Sequence, residues 1–161
     1  MDITLICMNN NIYGMTNGQY SPMTPTSMLA TTAPYGNLER NFDLCKLVEG
    51  CGANYVARAT AAHPRNISQY IEYALTHKGF QFVEVMTQCP TYYGRRNKLG
   101  GPVEMINSLK QNTILNTAAA KLPPEKLEGK IQIGEFVKKE ELTYLDRFDA
   151  MVDRITGGVK P

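Results

Sequence analysis

Two segments hold the residue types best suited to chemistry. The first is Asn9-Asn10-Asn11-Ile12-Tyr13-Gly14-Met15-Thr16-Asn17-Gly18-Gln19, which follows a short apolar run. Asparagine amides at the end of a strand offer neutral oxygens to a hard cation. Magnesium takes about six oxygens and often shares them with a bound diphosphate. Gly14 and Gly18 allow backbone to approach a ligand closely. The plain alternative is a polar turn that binds nothing, because short motifs often match by accident. The second segment is Gln88-Cys89-Pro90-Thr91-Tyr92-Tyr93-Gly94-Arg95-Arg96-Asn97. A lone cysteine after an apolar strand is most often a buried thiol, and a thiolate ligand is the sharper reading. Cys7, Cys45 and Cys51 fall within strand or helix patterns and are assigned to packing. His63 and His77 fall at a helix start and a helix end, positions that suit capping, and neither is read as a catalyst.

The elements that must position these residues follow from hydrophobic patterning. Ile3-Thr4-Leu5-Ile6-Cys7-Met8 is nearly continuous in apolar residues and suits a strand buried on both faces, with neighbours that come from elsewhere. Residues 9 to about 40 are rich in Asn, Gly, Pro, Ser and Thr and read as a long loop. Asn41 is a candidate cap for a helix over 42–51, with Leu44, Leu47, Val48 and Cys51 on one face and Gly52 as the stop. Residues 53–59 read as a second strand. Pro64 suits the first turn of a helix running to about His77, with Ile67, Ile71, Ala74 and Leu75 turned inward. Residues 80–87 form a third, mostly apolar strand. Strand, helix, strand, helix, strand predicts an α/β fold with a doubly wound parallel sheet. Ligands of such sheets collect beyond the carboxyl ends of the strands, here Asn9 onward, Thr60 onward and Gln88 onward. Further on come a helical stretch carrying Val103, Ile106 and Leu109 and a Pro-containing connector over 121–130. Leu142, Leu145, Phe148, Val152 and Ile155 then space out an amphipathic helix that packs on a sheet or a partner.

Composition sets outer bounds. Hydrophobic content of 43% and charged content of 20% are ordinary for a globular domain of this length. A net charge of +2 gives no reason to expect nucleic acid or an anionic membrane as partner. Nothing approaches the roughly 18 consecutive apolar residues of a membrane span. Four cysteines without a CxxC pair do not make a disulfide scaffold. The first residues carry no signal-peptide pattern, so a cytoplasmic location is expected.

The Asn9–Gln19 segment, continued by Ser21-Pro22-Met23-Thr24-Pro25, resembles the end of the thiamine-diphosphate motif in 2-oxoacid:ferredoxin oxidoreductase β subunits. Thr91-Tyr92-Tyr93-Gly94-Arg95-Arg96-Asn97 resembles their 2-oxoglutarate branch. The resemblance implies the thiamine-diphosphate-binding fold over residues 1–100, with its N-terminal half missing, and a C-terminal helical extension over 101–161. It implies thiamine diphosphate, Mg²⁺ and a [4Fe–4S] cluster as cofactors. By this match Asn10 supplies a side-chain oxygen and Ile12 a backbone oxygen to Mg²⁺. Met15 props the cofactor in a bent shape, Gly14 and Thr16 lie beside it, and Cys89 is one cluster ligand. Asn17, standing where Gly or Lys is usual, borders the substrate pocket. Arg95 and Arg96 are candidates for a second substrate carboxylate, since guanidinium forks match carboxylates. A solvated basic turn or a subunit contact is the other reading of the two arginines. The Gly-Asp-Gly opening of the motif and the other three cluster cysteines are expected upstream of Met1.

The implied reaction is decarboxylation of a 2-oxoacid, with the acyl group passed to coenzyme A and electrons passed to ferredoxin. The implied partners are an α subunit and further γ and δ subunits. Two other readings stand beside it. One is a truncated, non-catalytic piece that only packs with partner subunits. The other is a different thiamine enzyme of the acetolactate-synthase type, against which the Tyr13–Gln19 and Cys89-Pro90 segments argue.

Overall fold

The structure is a computed structural model, and it describes residues 2–158. Its centre is a five-stranded sheet. Strand β1 (Ile3–Asn9) pairs in parallel with β5 (Phe80–Met86), and β5 pairs in parallel with β4 (Tyr55–Thr60). Helices α1 (Leu44–Gly50) and α2 (Pro64–Thr76) provide the crossovers. Tyr55, Ala57, Ala59, Val83 and Val85 pack with Tyr70 and Ala74 of α2. Val56, Phe82 and Ala53 pack with Cys45 of α1 on the opposite face. The two helices therefore cover opposite sides, as a doubly wound sheet requires. Each fully buried Val or Phe in these layers contributes about 1.5–3 kcal/mol.

The expected doubly wound parallel sheet is present as β1, β5 and β4, and two further strands extend it. Strand β7 (Ile131–Lys138) joins β4 in antiparallel register, and β6 (Thr113–Leu115) pairs in parallel with β7, giving the order β1-β5-β4-β7-β6. The sheet is mixed, with a parallel core. The part after residue 100 is accordingly not a purely helical extension. Besides α3 (Pro102–Gln111), α4 (Asn116–Ala119) and α5 (Tyr144–Thr156), it contributes two strands. The register of β4 on β7 shifts between Val56 and Ala57, and Gly134 lies inside the strand at φ 131°, which weakens the alternation that marks a strand.

Local corrections have plain causes. The cap of α1 is Asp43, whose carboxyl accepts the Lys46 N–H, and not Asn41. Cys51 is the exposed C-cap residue and lies off the buried face that Cys45 occupies. His77 bonds the Tyr73 carbonyl at the end of α2, as a capping role implies, whereas His63 makes no side-chain cap bond and meets Thr60 Oγ1 at 2.8 Å. Strand β1 is not buried on both faces: it is an edge strand among the described residues and exposes Ile3, Leu5, Ile6 and Met8. Helix α5 exposes Leu145, Phe148 and Ile155, so the described chain does not cover its apolar face. Among the described residues no helix is long and apolar enough to cross a membrane.

Candidate functional site

At the carboxyl edge of the parallel strands, the chain leaves β1 through two overlapping asparagine turns. Asn9 Oδ1 accepts the Asn11 N–H at 2.9 Å, and Asn10 Oδ1 accepts the Ile12 N–H at 3.1 Å. Asparagine favours such side-chain-closed turns and tolerates the left-handed backbone that Asn11 adopts at φ 65°. A small antiparallel pair follows, β2 (Ile12–Tyr13) with β3 (Gln19–Tyr20). The loop joining them carries Gly14, Met15, Thr16, Asn17 and Gly18.

The chain leaves β5 beside this loop. The Thr87 N–H donates to the Asn9 carbonyl at 2.7 Å, and Cys89 opens a single π-turn over Pro90–Gly94. Gly14 faces Cys89: a methyl group on its α-carbon would sit 3.4 Å from the Cys89 sulfur and 3.5 Å from Asn10 Nδ2. Asn10, Gly14 and Cys89 are thus one cluster, although Asn10 and Cys89 are far apart in sequence. A latch joins the two loops farther out. The Tyr92 hydroxyl donates to Asn17 Oδ1 at 3.0 Å, and Gly18, at φ 85°, leaves no room for a β-carbon beside Tyr92. Asn97 adds a second tie, with its amide bonded to both the N–H and the carbonyl of Leu29.

The other expected residues are placed as follows. Met15 is 99% exposed, projecting from the loop without a packing partner. Thr16 bonds Gln19, and both face solvent or nearly so. Arg95 is exposed, and Arg96, also exposed, reaches Thr31 Oγ1 at 3.4 Å. Neither arginine touches the Asn10–Cys89 cluster.

A buried charged network behind the loop escaped sequence reading. Asn9 Nδ2 donates to Glu84 Oε1 at 2.7 Å, Arg58 Nε donates to Glu84 Oε2 at 2.6 Å, and Arg58 Nη2 donates to Asp43 at 2.5 Å. Glu84 is 1% exposed and Arg58 9%. Burial works against the Arg58 charge, but Cys45, Glu84 and Asp43 beside it outweigh that and raise its pKa above the usual guanidinium value. Burial likewise pushes the Cys45 thiol well up. A cleft of about 200 Å³ opens here, lined in part by Asn9, Asn11, Asp43, Arg58 and Lys130. The signal lay in the sequence: one charge inside each of two apolar strands, Arg58 and Glu84, rarely stays buried unpaired.

The side chains present fit the expected groups in part. Asn10 Oδ1 and the Ile12 carbonyl each carry one N–H, from Ile12 and Gly14, and each keeps a lone pair for a cation. For an iron–sulfur cluster, Cys89 offers one thiolate. Cys45 and Cys7 pack in the core beneath α1, Cys51 is exposed at its end, and no group of three or more His, Cys, Asp or Glu residues able to hold a metal occurs among the described residues.

Comparison with known proteins bears directly on this edge. The model of the family "Thiamine pyrophosphate enzyme, C-terminal TPP binding domain" matches residues 1–85, just over half of the chain. The chain is 48% identical over 159 residues to the 2-oxoglutarate synthase subunit KorB of Methanothermobacter marburgensis, covering 99% of this chain and 56% of that protein. It is 47% identical over 155 residues to the 2-oxoglutarate synthase subunit KorB of Methanocaldococcus jannaschii, covering 96% and 57%. Among solved structures, a 2-oxoglutarate:ferredoxin oxidoreductase from Magnetococcus marinus, with 2-oxoglutarate, coenzyme A and succinyl-CoA bound, superposes with a TM-score of 0.77. It is 30% identical, covering 98% of this chain and 54% of that one. The chain spans about half the length of the curated relatives it matches. With the family model running from β1 through most of β5 and the asparagine loop at their shared edge, the chain belongs to the C-terminal TPP-binding domain family of the thiamine pyrophosphate enzymes, and its kin are 2-oxoglutarate synthase KorB subunits.

Proposed function

We propose that this chain is the C-terminal part of the thiamine-diphosphate-binding β subunit of a cytoplasmic 2-oxoacid:ferredoxin oxidoreductase, with 2-oxoglutarate as the oxoacid. The observation that carries this reading is the convergence of Asn10, Gly14 and Cys89 at one sheet edge, from two distant segments. The overall reaction takes a 2-oxoacid and coenzyme A to an acyl-CoA and CO₂, and two electrons pass to ferredoxin. Thiamine diphosphate supplies the electron sink that makes loss of CO₂ possible.

The residues of this chain hold and orient. Asn10 Oδ1 and the Ile12 carbonyl would give Mg²⁺ two of its about six oxygens, and the ion would supply a counter-charge for the diphosphate. Gly14 keeps the loop thin where Cys89 lies against it. The Asn17–Tyr92 latch holds the loop that carries Met15 and Thr16, leaving the Met15 side chain free to support the cofactor. Cys89 would supply one thiolate to a [4Fe–4S] cluster, and the remaining ligands would have to come from outside the described residues. Arg95 and Arg96 are exposed guanidinium groups suited to the second carboxylate of 2-oxoglutarate, and partner chains would have to close the site over them. The α subunit, with γ and δ where present, completes the pocket.

The test uses the full-length β subunit assembled with its partners. Reduction of ferredoxin should require both coenzyme A and 2-oxoglutarate. Replacing the distal carboxylate, as in 2-oxobutyrate, should lower kcat/KM by roughly tenfold or more, the value of a charge-assisted hydrogen bond. Equal rates on both oxoacids would overturn the substrate assignment, and no oxoacid-dependent reduction would overturn the reading as a whole.

A further inference from the structure

The carboxyl edge of the sheet is wired from behind. Asn9 is 5% exposed, and its side-chain amide and its backbone carbonyl are all engaged. Its amide nitrogen is held by Glu84 at 2.7 Å, its amide oxygen holds the Asn11 N–H at 2.9 Å, and its carbonyl takes the Thr87 N–H at 2.7 Å. Glu84 is fixed in turn by the Arg58 Nε at 2.6 Å, and Arg58 by Asp43, the cap of α1, at 2.5 Å. The line runs from helix cap across three neighbouring strands to one backbone amide in the turn that presents Asn10 and Ile12.

A purely packing role explains this badly. Buried ion pairs are weak sources of stability, and apolar residues of similar volume often do as well. The network's one output toward the loop is the orientation of the Asn9 amide. A flipped or free Asn9 amide would turn its NH₂ toward the Asn11 N–H, and the first asparagine turn would open. The second turn shares its backbone, so Asn10 Oδ1 and the Ile12 carbonyl would lose the fixed placement that the turn gives them.

We propose that Arg58, Glu84 and Asn9 are positioning residues that orient the Asn10–Ile12 turn toward the divalent cation of the cofactor. They act through hydrogen bonds and do not touch the ion. The inference rests on the cofactor reading above and adds the residues that set its affinity. Outer-shell groups of this kind typically cost about 10–100-fold in metal affinity when removed.

The experiment is a titration of Mg²⁺ at saturating thiamine diphosphate, on the full-length subunit in its assembly, with a parallel melting curve for each variant. Glu84→Gln keeps the shape and an acceptor for Asn9 but removes the charge that fixes Arg58. Asn9→Ala removes the tether itself, and Arg58→Lys serves if Glu84→Gln does not fold. Well below each variant's Tm, the Mg²⁺ Kd should rise by roughly tenfold or more in Glu84→Gln and in Asn9→Ala. The double variant should bind no worse than Asn9→Ala alone, because both act through one amide. Unchanged Kd with a lowered Tm would overturn the proposal by reducing the network to packing, and additive losses would overturn it by making the residues independent. If the unmutated assembly shows no Mg²⁺-dependent binding, the cofactor reading fails and the proposal with it.

Discussion

Asn10 and Cys89 carry the sharpest expectations at the scale of single residues. Asn10 Oδ1 accepts one N–H, from Ile12, which fixes its direction and leaves a lone pair for a cation. Asn10→Ala takes one of about six ligands from an ion that tolerates poor geometry badly. In the full-length assembly, thiamine diphosphate affinity should fall more than roughly tenfold, as read by calorimetry with Mg²⁺ present. Unchanged affinity and turnover would remove the Mg²⁺ assignment. For the cysteines the expectation is selectivity. Cys89→Ser should lower iron content and the reduced-state paramagnetic signal of the assembly while thiamine binding is largely kept. Cys45 is 1% exposed beside Glu84, so Cys45→Ser buries a hydroxyl in its place and should lower Tm without changing iron. Cys51 is exposed, and Cys51→Ser should change neither. A full cluster in Cys89→Ser would leave that thiol as a packing residue.

Among the elements, the β2–β3 hairpin and α5 are the ones whose chemistry can be tuned. Gly18 combines a positive φ of 85° with a β-carbon direction 2.9 Å from Tyr92 Cβ. Gly18→Ala should therefore cost about 1–3 kcal/mol of local stability and break the Asn17–Tyr92 latch. Amide exchange in residues 12–20 would report it, and wild-type protection there would mean that the loop has slack to move. Helix α5 is closed by a reciprocal cap, in which Asp146 accepts from the Thr143 N–H and hydroxyl and pairs with Lys78 at 3.0 Å. Thr143, and then Lys78, hold the Asp146 carboxyl down at about 2, from an ordinary 3.8. A depressed carboxyl stabilises the fold fully above its unfolded pKa and loses that contribution as pH falls through the folded one. Exchange of α5 amides should therefore speed up as pH falls from about 4 to 2, after correction for intrinsic rates, and Asp146→Ala should remove that dependence. A helix that frays identically in both proteins would show that the cap does not govern it.

Over the whole molecule, the described residues offer two oxygens for the proposed cation site and one cysteine for the proposed cluster. Taken alone, the chain should bind thiamine diphosphate and Mg²⁺ far more weakly than the full-length assembly, because an ion with about two protein ligands pays most of its dehydration without return. Micromolar affinity by calorimetry would contradict this. Much of the architecture was legible in the sequence by itself. Apolar runs at 3–8 and 80–87, a proline opening α2 and glycines closing the helices dictate local structure, because burial and backbone geometry act over a few residues. The Asn9–Gln19 and Cys89 segments were legible for the same reason, as compact motifs. Tertiary structure alone decided that Gly14 lies against Cys89, that Arg58 and Glu84 share one hydrogen-bond line ending at Asn9, and that β7 turns antiparallel beside β4. Each of those depends on which strands become neighbours, and that choice is made by packing between segments tens of residues apart. The exposed apolar side chains of β1 and α5 follow from the same cause: a sequence pattern marks a face for burial, and only the assembled fold says whether anything within this chain covers it.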